Sequence, residues 1–207
     1  MKERLFIQKE LHTDIDLWNQ FKVGNDKAFY LLYDEYADNL YRYGSHFSKD
    51  KEFIKDCIHD LFLDLYKYRK KLSETNNVQF YLFRSLRRII HKEQTRTITF
   101  VNKERIYTPE ENPVFSHEDY LIAAETKAEE YEVLNSAMKK LTGRQREALS
   151  LKFEHGHSYA EISEIMGISV ESSRSIIYLA LKELRKCIEN KGHTIQLFFF
   201  LSSFPYS

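Results

Sequence analysis

The chain has 207 residues with 31 basic and 31 acidic side chains, hence a formal net charge of zero, and contains 6 Gly, 3 Pro and 2 Cys. So little Gly and Pro excludes a strand-rich fold punctuated by tight turns, and two cysteines far apart exclude a disulfide framework and point to a reducing, cytoplasmic setting. Neutrality also argues against holding nucleic acid by bulk charge alone, although the charge is uneven: residues 1–92 carry 17 basic and 14 acidic groups, residues 93–140 carry 6 and 10.

Lys2 and Arg4 are followed by no apolar run, so residues 1–12 are expected to be a polar lead-in rather than a secretory signal. Ile15, Trp18 and Phe21 predict a short helix starting near Thr13 or Asp14 and closed by Gly24, with Asn25 or Asp26 capping the next. Phe29, Leu32, Tyr33, Tyr36, Leu40, Tyr43 and Phe47 keep a helical period over five turns. Asp50 restarts the pattern, and Ile54, Cys57, Ile58, Leu61, Leu65 and Tyr68 make the inner face of a third helix. After a polar loop at Leu72–Asn77, a fourth helix from about Val78 to Glu93 turns Leu82, Phe83, Leu86, Ile89 and Ile90 inward. Its other face holds Arg84, Arg87, Arg88, His91 and Lys92, with no acidic residue between Thr75 and Lys92. That face is either a phosphate track or a solvated helix surface. Beyond residue 93 the period is lost, Pro109 and Pro113 intervene and the composition turns acidic, which reads as a linker over 96–127.

From about Ala128 a helix with Tyr131, Leu134 and Met138 leads into the most informative stretch, Leu141 to Lys186. Thr142 with Gln145, and Ser158 with Glu161, have the spacing of capping boxes and fix two helix starts. Tyr159, Ile162, Ile165 and Met166 give the second of these helices one apolar face, Gly167 ends it, and Ser169 can cap a longer helix striped with Val170, Ile177, Leu181, Leu184 and Ile188. A short helix, a tight turn through Gly and a longer helix form a helix-turn-helix, which seats the start of its second helix in a DNA major groove. The outward face would carry Glu171, Ser172, Arg174, Ser175, Tyr178 and Lys182, with Ser169 at its start. The plain alternative is a helical hairpin with a polar outer face. Arg174 could bond a guanine edge or only a phosphate. Residues 191–207, with Phe198, Phe199 and Phe200, are too short an apolar tail to span a bilayer.

The run Asp56-Cys57-Ile58-His59-Asp60-Leu61-Phe62-Leu63-Asp64-Leu65-Tyr66 resembles the polymerase-binding helix of bacterial sigma factors. Ala28-Phe29, Leu32-Tyr33, Tyr36 and Leu40-Tyr41 resemble the helix before it, Phe80-Tyr81-Leu82-Phe83-Arg84 the start of the helix that meets the minus-ten promoter element, and the helix-turn-helix the module for the minus-thirty-five element. Two such modules in this order resemble the extracytoplasmic-function (ECF) sigma factors of the sigma-70 family. The resemblance implies an all-α chain of two small helical domains, residues 13–95 and 128–190, joined by a flexible linker. It implies core RNA polymerase as a partner, held by Asp56, Asp60, Phe62, Leu65 and Tyr66. It also implies promoter DNA as ligand, with Asn76, Asn77, Phe80 and Tyr81 beside the basic track where strands open, and a membrane-linked anti-sigma factor as antagonist. The sequence departs from the family at Ile176 and Leu179, where basic residues are common in the recognition helix.

Two function classes compete: a promoter-specificity subunit of RNA polymerase, and a free-standing helix-turn-helix regulator with a helical sensor domain. The second predicts a dimer on a palindromic site, the first a monomer on polymerase reading asymmetric elements. An enzyme is not expected, because the sequence offers no phosphate-binding Gly loop, nucleophile-base pair or metal-ligand spacing, and no cofactor is expected.

Overall fold

The computed structural model describes residues 13–101 and 134–189, with side chains to residue 96 in the first stretch and to 187 in the second. Every regular element among the described residues is helical, and the chain divides into two compact units, Met1–Pro109 and Glu110–Ser207. The described parts of the N-terminal unit are α1 (Asp14–Lys22), α2 (Asp26–Gly44), α3 (Lys51–Tyr68), a 3₁₀ turn (Arg69–Lys71) and α4 (Val78–Val101). Those of the C-terminal unit are a helical stretch at 134–138, α5 (Gly143–Leu149) continued by a π-helical turn (Ser150–Glu154), α6 (Tyr159–Met166) and α7 (Val170–Glu189).

In the N-terminal unit each start is fixed by a short polar side chain that satisfies helix-start amides. Thr13 and Asp16 form a reciprocal capping box on α1, while Asn25 caps α2 and Asp50 caps α3 through their side-chain oxygens. The chain turns from α1 to α2 through Gly24, whose φ of 100° lies in the region that side chains with a Cβ avoid. α2 packs on α1, α3 and α4, and α3 also packs on α4. Trp18, Phe21, Leu40, Tyr43, Leu82, Phe83, Leu86 and Ile90 fill the centre. The indole N–H of Trp18 donates to the Ser73 carbonyl at 3.3 Å, which ties α1 to the loop before α4. At Gly44 a methyl group would sit 2.6 Å from Ile54 Cγ2, so α2 and α3 meet where only glycine fits without displacement.

Three details of the N-terminal core differ from the sequence expectation. Ile15 is 39% exposed and Leu17 is buried in its place, because α1 shows α2 the face Leu17-Trp18-Phe21. Tyr33 and Tyr68 lie outside the core, and Ile89 is only half-buried. α4 continues to Val101 instead of stopping at Glu93, and Gln94 Nε2 reaches back to donate to the Phe47 carbonyl at 3.0 Å. The remaining linker, residues 102–127, and the apolar tail at 191–207 lie outside the described residues.

In the C-terminal unit both expected capping boxes are present, with Gln145 N–H donating to Thr142 Oγ1 at 3.3 Å and Glu161 N–H to Ser158 Oγ at 3.2 Å. Gly167 ends α6 in the left-handed conformation, φ 65° and ψ 45°, and Ser169 Oγ accepts from Ser172 N–H at 3.1 Å to start α7. α7 packs on both α5 and α6. Its buried face is Ser173, Ile177, Ala180, Leu184 and Cys187, rotated from the stripe expected on apolarity. Val170 and Leu181 are only half-buried, and the side chain of Ile188 lies outside the described residues. Close helix approach explains the change: Ser173, fully buried, lies on α6 and bonds its hydroxyl to the Val170 carbonyl at 2.7 Å, 3.1 Å from that of Tyr159.

Candidate nucleic-acid interface

Because α7 spends Ser173, Ile177 and Ala180 on the core, its helical period turns Glu171, Ser172, Arg174, Ser175, Tyr178 and Lys182 to the outside, and all six are exposed. Tyr178 is 65% exposed and Leu179, beside it, 52%. Ser169 is exposed too, but its hydroxyl is committed to the cap and to Ser172 Oγ at 3.0 Å. Glu171 has its pKa lowered by its own backbone amide at the helix start and then by the Ser169 hydroxyl. Arg174 does not project freely: its guanidinium carbon lies 5.5 Å from the centroid of the Tyr159 ring, at the start of α6. Lys152 Nζ lies 4.7 Å from the same centroid.

Lys152 went unnoticed in the sequence because the π turn that positions it leaves no pattern of its own. The turn is closed by His155 N–H donating to the Ser150 carbonyl at 3.1 Å, a bond spanning five residues, and by Ser150 Oγ donating to Glu154 Oε2 at 2.6 Å. Next to it His157 is buried, its backbone N–H donating to the Leu151 carbonyl at 2.9 Å and its ring Nδ1 3.8 Å from Glu161 Oε2. Burial lowers the pKa of His157 below the ordinary imidazole value, with Glu161 opposing that shift. The unfolded chain therefore binds this proton more readily, so the C-terminal unit should lose stability as pH falls below about 6.5. Melting curves between about pH 7.5 and about pH 5 should show a shallower decline for His157→Gln than for the parent. Identical pH profiles would remove His157 as the cause.

In the N-terminal unit the basic face of α4 exposes Arg84, Arg88, His91 and Lys92, while Arg87 is half-buried. Phe80, half-buried, has the Arg84 guanidinium 5.9 Å from its ring centroid, and Tyr81 packs its ring 5.0 Å from that of Trp18. Asn76 is exposed, whereas Asn77 Oδ1 accepts from Phe80 N–H at 2.9 Å and so acts as a cap for α4. The loop and the track are contiguous in the chain, and the 3₁₀ turn before the loop adds Arg69, Lys70 and Lys71.

α3 divides the expected polymerase-binding set by exposure. Asp56, Asp60 and Tyr66 are exposed, but Phe62 and Leu65 are buried at 3% and 4%. Phe62 packs between the rings of Tyr33, 4.8 Å away, and Phe29, 5.9 Å away. The spacing explains this, since Phe62 and Leu65 share the helix face of Ile58 and Leu61. Beside Tyr66, the large apolar groups that α2 and α3 present outward are Tyr30, 67% exposed, Leu63, 53% exposed, and Tyr33 and Tyr68, each 44% exposed, none of them in the expected set. Arg69 holds its guanidinium 4.5 Å from the ring centroid of Tyr66.

The family model described as sigma-70, region 4, matches residues 131–184, the helix-turn-helix and the residues leading into it. The RNA polymerase sigma factor SigZ of Bacillus subtilis is 26% identical over 163 residues, covering 78% of this chain and 88% of its own length. The ECF RNA polymerase sigma factor SigM of the same organism is also 26% identical over 163 residues, covering 78% of this chain and 94% of its own length. The chain is similar to sigma factors of the ECF group. Its fold is also that of the sigma factor RpoE solved in complex with the anti-sigma factor NepR from Bartonella quintana, with a TM-score of 0.62 at 18% identity over 79% of this chain and 98% of that one. Among the described residues of the chain, no helix is long and apolar enough to cross a membrane and no cluster of His, Cys, Asp and Glu could hold a metal ion.

Proposed function

We propose that the chain is an ECF sigma factor that binds core RNA polymerase through the exposed face of α3 and brings it to promoters whose two elements are read by its two helical units. Residues 13–101, to the end of α4, would form the unit that binds polymerase and the minus-ten element, 102–127 the linker, and 128–190 the unit for the minus-thirty-five element. The observation that carries the reading is the outer face of α7: six polar residues, all exposed, four of them in the first two turns of the second helix of a helix-turn-helix. Only one of the six in its first two turns, Arg174, is basic, so phosphate neutralisation by this helix alone is modest. Joining two weak DNA readers to polymerase raises their effective concentration at the promoter, which makes weak individual affinity sufficient. The protein acts by binding, not by catalysis. By analogy with the neighbour solved with an anti-sigma factor, a membrane-linked antagonist would mask the polymerase-facing surface until a signal releases it.

Within the N-terminal unit, strand opening would fall to Asn76 and Phe80 beside the track of Arg84, Arg87 and Arg88, with His91 and Lys92 further along the duplex. Tyr81, held on Trp18, supports this surface, and Asn77 shapes it as a cap. Asn76→Ala is therefore the clean variant, whereas Asn77→Ala would also cost the helix about 1 kcal/mol. In transcription reactions with core polymerase and genomic DNA, defined start sites should appear only when the chain is added. Permanganate footprints at those sites should weaken with Asn76→Ala. Absence of chain-dependent start sites would refute the sigma reading, and unchanged footprints would remove the loop from strand opening. The free-standing regulator would instead show steeply salt-dependent binding to a palindrome without polymerase.

A further inference from the structure

We propose that Lys152, Tyr159 and Arg174 form a built phosphate site for the DNA backbone, so that Arg174 anchors the duplex and does not read a guanine edge. The proposal rests on α7 meeting DNA, as argued above, and adds a residue from outside the helix-turn-helix. Two cations address one aromatic ring, Lys152 Nζ at 4.7 Å and the Arg174 guanidinium at 5.5 Å from its centroid. Both distances fall within the range of cation–π attraction, and a ring holds long basic side chains in place at little entropic cost. Yet two like charges on one ring repel each other, and among the described residues no carboxylate forms an ion pair with either. Glu171 influences Arg174 electrostatically but makes no ion pair with it, and Glu154, two residues from Lys152, accepts from Ser150 Oγ. An anion at this place would relieve the repulsion and gain two charge-assisted contacts.

The anion is identified by position. Arg174 is one turn into the helix proposed for the major groove, Tyr159 is the first residue of the helix before it, and Lys152 lies in the π turn that precedes both. The first helix of a helix-turn-helix crosses the phosphate backbone. A side chain drawn back from α7 onto Tyr159 is therefore directed to that backbone and away from the floor of the groove. Base reading then passes to Ser172, Ser175 and Tyr178, whose side chains are exposed and beside it.

Fluorescence anisotropy of the full chain on a random-sequence duplex, from low salt upward, measures phosphate contacts without knowledge of the promoter. Lys152→Ala and Arg174→Ala should each weaken binding and each lower the slope of log affinity against log salt by about 0.9. Lys152→Arg should keep the parental slope, which separates loss of charge from loss of fold. Selection from a randomised duplex library should return the same preferred sequence for Arg174→Ala as for the parent. A slope unchanged by Lys152→Ala, or a preference relaxed at one base position by Arg174→Ala, would overturn the site while leaving the transcription reading intact. A parent chain that binds duplex at no salt concentration would overturn the site together with the docking of α7. Chain-dependent start sites with core polymerase test the transcription reading separately.

Discussion

Phe62→Ala should destabilise the N-terminal unit by about 3–5 kcal/mol, whereas Asp60→Ala should leave its stability within about 0.5 kcal/mol and still abolish most binding to core polymerase. The two residues are two positions apart on α3 but face opposite ways. Phe62 is 3% exposed and wedged against Phe29 and Tyr33, so truncation opens a cavity in packed aromatic surface. Asp60 is exposed, and among the described residues it forms no ion pair. At a polymerase interface it would be desolvated beside Leu63 and Tyr66, where a lost charged contact costs tenfold or more in affinity, about 1.4 kcal/mol per factor of ten. Urea denaturation with co-sedimentation on core polymerase distinguishes them. A stable Phe62→Ala that fails to bind would make Phe62 a direct contact after all, and an Asp60→Ala that binds like the parent would remove the acidic face from the interface.

The second large effect lies at Arg146, which no pattern in the sequence singles out. It is 2% exposed, and its Nη1 donates to the Leu141 carbonyl at 2.7 Å and to the Met138 carbonyl at 3.4 Å, joining α5 to the end of the preceding helical stretch. Carbonyls at a helix end have no partner within the helix, and a cation there also meets the negative end of the helix dipole. Arg146→Ala should cost about 2–3 kcal/mol, since it takes the donor from the buried Leu141 carbonyl as well as removing charged hydrogen bonds, while the Met138 carbonyl keeps the Leu141 N–H at 3.2 Å. Arg146→Met keeps most of the apolar stem and should recover only part of that loss. Thermal melting of the full chain checks both, and an Arg146→Met as stable as the parent would show that packing, not hydrogen bonding, is what Arg146 supplies.

The parts legible in the sequence are those fixed by local chemistry. Thr13, Asn25, Asp50, Thr142 and Ser158 each cap the helix that follows, and Gly167 turns the chain where expected, because caps and left-handed turns depend on a few adjacent residues. What sequence could not supply is the rotation of a helix against its neighbour. Apolarity favoured Val170 and Leu181 on α7, but the close approach of α5 and α6 selects small residues, Ser173 and Ala180. On α3 a family pattern marked Phe62 and Leu65 as contacts, although they sit on the inward half of the helical period. The π turn at Ser150–Glu154 shifts the helical phase without a marker residue, so the meeting of Lys152, Tyr159 and Arg174 appears only in three dimensions.

Each unit contains one thiol, and both are buried: Cys57 at 2% exposure in α3 and Cys187 at 7% in α7. Burial pushes the Cys57 thiol up to about 11, so at neutral pH it is neither accessible nor ionised in the folded unit. An alkylating reagent can reach it only when the N-terminal unit opens, and it can reach Cys187 only when the end of α7 comes away from its core. The native chain thus carries two internal clocks, one per unit. With Cys187→Ser or Cys57→Ser silencing one at a time, the labelling rate gives the opening free energy of each unit inside the intact protein. The cost of Phe62→Ala should then register at Cys57, and that of Arg146→Ala at Cys187.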